Sequence, residues 1–290
     1  MTQRQTDSSS LSAKSTDPYK SCMMLASFRR LATQYNENAV FRTGDSRMEL
    51  ANFFSPHYRD HNRARLEHLD SLGLPLSGCR VLELGSGPGD HTGFYAQRGC
   101  ATVAVDARQA CLNTLKERYP IVTTRLCDLN DPSALADLGA FDVIHCYGIL
   151  YHLENPAALI GYMGKACRGT AVVETCVSAA ESCRMNHVEE ISSDFTQSST
   201  GRGCRPGRRW VFEELRRVFP FVYHTRTQPR HPEFPIDWNN LSGAPPLIRA
   251  VFVASKRPHE LPSLSSILLD VQERFDPQPA QDPAQASGFR

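Results

Sequence analysis

The residues with the most chemistry to offer lie between Glu83 and Glu174: a turn reading Gly85-Ser86-Gly87-Pro88-Gly89, the acids Asp106 and Asp128, and the histidines His145 and His152. Glycines at every second position let a backbone turn sharply and approach a ligand closely, because no Cβ stands in the way. Asp106 follows Gly85 by 21 residues, close to the roughly 20-residue interval at which an acidic side chain reaches a ribose diol in parallel nucleotide-binding folds. A carboxylate accepts both hydroxyl hydrogen bonds at once. Histidine titrates near neutrality and suits a general base, so His152 is the first candidate for that role, with His145 and Glu174 after it.

These residues need elements to hold them. Val81, Leu82 and Leu84 form a short apolar run that ends in the glycine turn, as a central strand covered on both faces would. Asp90 is a good capping residue for a helix after the turn. Further strand patterns cover residues 102–106, 121–126, 141–148 and 170–175, with helical patterns between them. Strict alternation predicts a parallel sheet with right-handed crossovers and a ligand crevice at the carboxyl ends of its strands. The glycine turn, Asp106, Asp128 and residues 147–152 all fall at such ends. Residues 221–223 and 248–254 bring the expected strands to seven.

Several ligands use a glycine turn between strand and helix. A dinucleotide fingerprint places its third glycine where this chain has Asp90, and a Walker loop requires a Gly-Lys-Ser/Thr that is missing here. What remains, Glu83-x-Gly85-x-Gly87-x-Gly89, resembles the class I S-adenosylmethionine-dependent methyltransferases. The resemblance implies a doubly wound α/β fold with a seven-stranded, mostly parallel Rossmann-like sheet, its last strand antiparallel, and helices on both faces. It also implies a cofactor, S-adenosylmethionine, leaving as S-adenosylhomocysteine (SAH), and no metal. The implied cofactor contacts are Glu83, Gly85, Ser86, Gly87, Gly89, Asp106, Ala107, Asp128, Leu129, Cys146 and Tyr147, with Asp128 accepting from the adenine amine. Asp128 equally fits a turn before Asp131-Pro132. The implied reaction is an in-line displacement at the methyl carbon, driven chiefly by proximity and desolvation. A base is needed only for a hydroxyl or a protonated amine.

The acceptor side is less determined. His152 fits a base or a histidine satisfied by local bonds, and Tyr147 and Tyr151 fit an aromatic face beside the sulfonium or plain core packing. Arginines 202, 205, 208 and 209 fit an acidic substrate or a solvated face. Trp238 and Phe234, in the proline-bearing run 228–238, fit a pocket wall or the core. Tyr151, Arg205, Trp210, His231 and Trp238 are the candidate substrate residues.

With 290 residues, 22% charged and 41% hydrophobic, the chain has ordinary globular composition, and a net charge of +1 gives no global pull toward nucleic acid or anionic membrane. Ten cysteines are scattered without a Cys-x-x-Cys pair, which disfavours zinc and suits a reducing cytosol. The first ten residues lack a secretion-signal core, and no apolar run has the length of a membrane span. The expected organisation is a tail at 1–20, a helical N-terminal extension capping the fold at 21–76, a cofactor-binding domain at 77–256 with substrate loops at 178–209 and 227–247, and a proline-rich tail at 257–290. A helix carries Met24, Leu25, Phe28 and Leu31, and a short one is expected around 267–275. The leading function is methylation of a small-molecule acceptor by a cytoplasmic enzyme. Methylation of a tRNA or protein, or S-adenosylmethionine binding without catalysis, are the rivals. No recognisable RNA-binding module is present, and the oligomeric state has no signature.

Overall fold

The computed structural model describes residues 50–179 and 184–277. The expected tail at 1–20 and the helix carrying Met24 to Leu31 lie outside the described residues.

Ser55 opens α1 (Pro56–Ser71), the first α-helix among the described residues, its hydroxyl accepting from the Tyr58 amide at 3.2 Å and Pro56 presetting the first turn. The sheet then begins with β1 (Arg80–Leu84), β2 (Ala101–Asp106) and β3 (Thr123–Leu126), joined through α2 (Thr92–Ala96) and α3 (Gln109–Arg118). A 3-10 segment at Pro132–Leu138, capped by Asp131, leads to β4 (Phe141–Tyr147), and α4 (Pro156–Ala166) leads to β5 (Cys167–Val177). β1 pairs in parallel with both β2 and β4, and β4 with β5. The chain thus winds outward on one side from β1 and returns on the other. The carboxyl ends of β1 and β4 flank the point where the winding reverses, the place such sheets reserve for ligands. Val81, Leu82, Leu84, Val143, Ile144 and Cys146 are buried, as strands covered on both faces require.

The remaining strands are β6 (Met185–Glu189), β7 (Arg202–Pro206), β8 (Phe221–Thr225), β9 (Thr227–Gln228), β10 (Ile248–Ser255), β11 (Leu264–Ser265) and β12 (Glu273–Arg274), with α5 (Arg208–Val218) between β7 and β8. β10 lies antiparallel between β5 and β8, as expected for the last long strand. α5 buries Val211, Phe212 and Leu215 and turns its charged face outward.

Four expectations need correction. The helix after the glycine turn starts at Thr92, and Asp90 is not its cap; the Asp90 carboxylate is taken by Asn62 and Arg118. The segment 178–209, expected as a loop, contains the antiparallel hairpin of β6 and β7. The sheet has eight strands instead of seven, because β11 pairs with the open edge of β8. No helix forms at 267–275. The backbone there pairs in part with β9, through β12, and the Gln272 side chain donates to the Thr225 carbonyl at 2.5 Å while accepting from the Trp238 indole at 2.7 Å. Residues 257–277 are therefore packed structure.

One buried ionic chain ties α1 to this sheet. Glu174 on β5 is fully buried and accepts from Arg65 of α1 at 2.6 Å and from Arg249 of β10 at 3.1 Å. Arg249 also donates to Glu233 at 2.6 Å and to the Tyr151 hydroxyl at 3.2 Å. Deleting one partner of such a set strands buried charge, a loss of about 3–5 kcal/mol. Glu174→Ala should lower the unfolding free energy by that amount, read from urea denaturation; a change within about 1 kcal/mol would show that the two arginines are not held by this carboxylate.

Candidate functional site

At the carboxyl ends of β1, β2 and β4 the chain encloses a cavity of about 880 Å³, counting the open space at its mouth. Its floor is the glycine turn. Gly85 has φ +69°, and a Cβ there would stand 2.9 Å from the Ile149 side chain. Only glycine combines that backbone with that contact. Gly87, at φ +52°, faces Phe53 in the same way. Gly89, expected among the ligand contacts, does not line the cavity; a Cβ there would meet Leu115 of α3 at 2.9 Å, so its role is helix packing.

Asp106 holds the turn from the tip of β2. One carboxylate oxygen accepts from the Gly87 amide and the other from the Arg108 amide, each at 2.8 Å. Burial pushes its pKa up while those amides favour the charged form. Glu83, near the end of β1, is buried and accepts from the Thr92 hydroxyl at 2.7 Å, and burial lifts its pKa to about 8. Ser86, Ala107, Asp128 and Leu129 also line the cavity. The Asp128 carboxylate already accepts from the Asn130 backbone and side-chain amides at 2.9 and 3.0 Å, so it shapes the loop it sits in.

Tyr147, at the end of β4, contributes to a cavity wall a buried hydroxyl that has no hydrogen-bond partner among the described residues. Cys146, its expected companion, is fully buried and does not reach the cavity, because alternate residues of a strand point to opposite faces.

The three candidate bases have different fates. His152 lines the cavity, and its Nδ1 meets Glu190 at 2.5 Å. Burial lowers its pKa while Glu190 opposes that shift. Glu190 is fixed in turn by Arg205 at 3.2 Å and by the Ser198 amide at 2.8 Å. His145 also borders the cavity, yet both its nitrogens are engaged: Nε2 with His91 and Nδ1 with the Tyr95 hydroxyl, each at 2.9 Å. Burial drops its pKa to about 3. Glu174, with each carboxylate oxygen on an arginine, is outside the cavity wall and is an ionic hub instead of a base.

None of the five candidate substrate residues lines the cavity. Tyr151 is buried behind it against Arg249. Arg205 supports Glu190. Trp238 is a core residue, its indole bonded to Gln272 and its ring covered by Arg208. Trp210 lies half-buried on the charged face of α5, and His231 packs against His61 of α1.

The residues that complete the wall come from segments far apart in the chain. Tyr58, Asn62 and Arg65 of α1 and Phe53 before it close one side, and Phe195 to Ser199 cover another. Arg108 pins that cover: its guanidinium donates to the carbonyls of Ser192, Asp194 and Gln197 at 2.9, 3.2 and 3.3 Å and lies 4.3 Å over the Phe195 ring. The spacing of Tyr58, Asn62 and Arg65 on one helix face was the available signal in the sequence. Nothing local marks Arg108 or Phe195.

Residues 48–242 match the family described as a methyltransferase domain. The magnesium-protoporphyrin O-methyltransferase of Rhodobacter capsulatus is 34% identical over 103 residues, 34% of this chain and 43% of that protein. A ubiquinone biosynthesis O-methyltransferase of Acinetobacter baylyi is 28% identical over 112 residues, 37% of this chain and 45% of that protein. The chain thus spans less than half the length of either relative. Among solved structures, the N-terminal domain of EvdMO1 with SAH bound has a TM-score of 0.52 at 20% identity, covering 81% of this chain and 97% of that one, a likeness of fold. Among the described residues no helix is long and apolar enough to cross a membrane.

The paired histidines that border the cavity make a pH test. Burial holds His91 well below the usual histidine pKa and His145 near about 3. The unfolded chain protonates both near 6.5 and the folded chain does not, so stability is complete above that pH and drains away as pH falls. The melting temperature should decline steadily from pH 7.5 to pH 5. His91→Gln and His145→Gln should each flatten part of that decline, and a decline unchanged in both variants would place these imidazoles in contact with water.

Proposed function

The chain belongs to the methyltransferase-domain family, and from that premise we propose that it transfers a methyl group from S-adenosylmethionine to a hydroxyl of a small-molecule acceptor. The observation that carries the acceptor class is the His152–Glu190 pair in the cavity wall. Amine acceptors that bind unprotonated need no base; a hydroxyl does, because its oxygen must lose a proton to attack well. The names of the two relatives, both O-methyltransferases, support the same reading.

The donor side follows from the floor of the site. Asp106 would hold the ribose diol of the cofactor, its carboxylate able to accept from two hydroxyls, while Gly85 and Gly87 leave the room a close ligand needs. Glu83 needs a positive charge nearby to ionise fully, given its raised pKa, and the cofactor carries both an ammonium and a sulfonium. Tyr147 offers its unpaired hydroxyl at the same wall.

Bound S-adenosylmethionine would supply an electrophilic methyl carbon, whose C–S bond would break as the acceptor's C–O bond forms, with sulfur keeping the electron pair. His152 takes the hydroxyl proton. Glu190 fixes the ring by its bond to Nδ1 and stabilises the imidazolium that results, leaving Nε2 to face the acceptor. The cover from Phe195 to Ser199 excludes water, so proximity supplies most of the acceleration.

SAH at 100 times its dissociation constant should add about 2.7 kcal/mol of stability, seen as a higher melting temperature, and Asp106→Ala should remove most of that shift. A shift with NAD and none with SAH would refute the donor assignment. His152→Ala should lower kcat by about 10²–10⁴-fold with SAH affinity unchanged. In the parent protein kcat/KM should rise with pH through an apparent pKa below the ordinary 6.5 of histidine. An unaltered pH profile in His152→Ala would remove His152 from the reaction.

A further inference from the structure

We propose that His57, His231 and Glu233 bind a transition-metal dication of the zinc class where α1 meets the connection before β10. His57 and His61 stand four residues apart on α1, so both imidazoles project from one helix face. His231 and Glu233 are two residues apart on the segment that passes this face. The ligand atoms of His57, His231 and Glu233 lie within 4.8 Å of one another, and the His57 Nε2 to Glu233 Oε1 separation is 3.4 Å. Adjacent ligands around a tetrahedral zinc, each about 2.0–2.2 Å from the ion, stand about 3.3 Å apart. One edge of the tetrahedron is therefore already in place, and the others need a closure of up to about 1.5 Å.

The surroundings orient these groups as metal sites do. The Glu233 amide donates to His231 Nδ1 at 3.3 Å, which leaves Nε2 for an ion. Arg249 takes the other oxygen of Glu233 at 2.6 Å, and the Glu233 carbonyl accepts from the Arg249 amide at 2.7 Å, so the carboxylate is anchored to β10. A second, independent sign is His61. Its side chain is 3% exposed, its ring lies 4.7 Å from that of His231, and its Nε2 has no hydrogen-bond partner while standing 3.7 Å from Glu233. A buried imidazole nitrogen with nothing to bond beside two further imidazoles and a carboxylate is a strong acceptor for a cation. Imidazole with carboxylate selects zinc, cobalt, nickel or copper over magnesium and calcium, which prefer oxygen. His57 is 67% exposed, so the ion has an entry path from solvent.

The site is distinct from the cavity, which none of these four residues lines. It would fasten the outer face of α1, whose inner face carries Tyr58, Asn62 and Arg65, to β10 through Glu233 and Arg249. Metal binding there does not depend on the methyl-transfer reading.

The test is a titration of the full chain, stripped by chelator and free of any histidine tag, with Co²⁺ followed by its d–d absorption. One equivalent should bind with the intense bands of a four-coordinate site, Zn²⁺ should displace it, and Mg²⁺ should not compete. His57→Ala, on an exposed helix position, and His231→Ala should each weaken Co²⁺ binding by more than about ten-fold while circular dichroism is unchanged. No saturable uptake, or both variants binding like the parent, would overturn the proposal.

Discussion

The carboxylate of Glu174 is the point on which the architecture of the site depends. It is buried at the end of β5 with arginines from α1 and β10 on its two oxygens. Each charge has lost its water, and each is compensated only by the others, so the three elements are fixed to one another in one arrangement. The arrangement extends through Arg249 to Glu233 and Tyr151, and through Arg65 to Asn62 at 3.1 Å. Asn62 then joins His91 and Asp90. A continuous polar chain therefore runs from the outer surface of α1 to the wall of the cavity. It determines where that wall stands.

Against this wall, the two histidines behind the glycine turn are neutral participants. His145 and His91 share one hydrogen bond and are terminated by Tyr95 and Asn62. In such a string each imidazole donates once and accepts once, and the chain needs no net charge. His152 differs because a carboxylate, Glu190, faces it. Three histidine environments within one region thus separate by partner chemistry alone, two closed by neutral partners and one facing a carboxylate.

The glycine turn and the carboxylate that faces it were legible in the sequence because their logic is local. A strand, a turn that only glycine tolerates and a carboxylate about 20 residues on are enough to define the floor, and Gly85, Gly87, Glu83 and Asp106 stand where that pattern puts them. The acceptor half was not legible because its residues meet only through tertiary structure. Glu174 read as a free acid until Arg65, 109 positions earlier, was brought to it. Trp238 fitted a pocket wall or the core equally until Gln272, from a stretch that looked like a tail, took its indole. His57 and His61 belong to a face that reads as an ordinary helix surface until His231 arrives. Composition could exclude classes of partner, but it could not reveal that residues 184–206 fold back as a hairpin whose neighbour Glu190 orients His152.

The short strand β11 has a consequence for the chain as a polymer. β8 would be the last strand of the sheet on its side, with its amides and carbonyls bare toward solvent. Leu264 and Ser265 cover part of that edge, the Ser263 hydroxyl bonds the end of α1 at 2.7 Å, and Arg274 holds the carbonyls of Pro229 and His231. An uncovered strand edge is a template on which a second copy can pair. The segment from β10 to residue 277 is therefore a guard against self-association as well as a clasp, and the folding unit includes it.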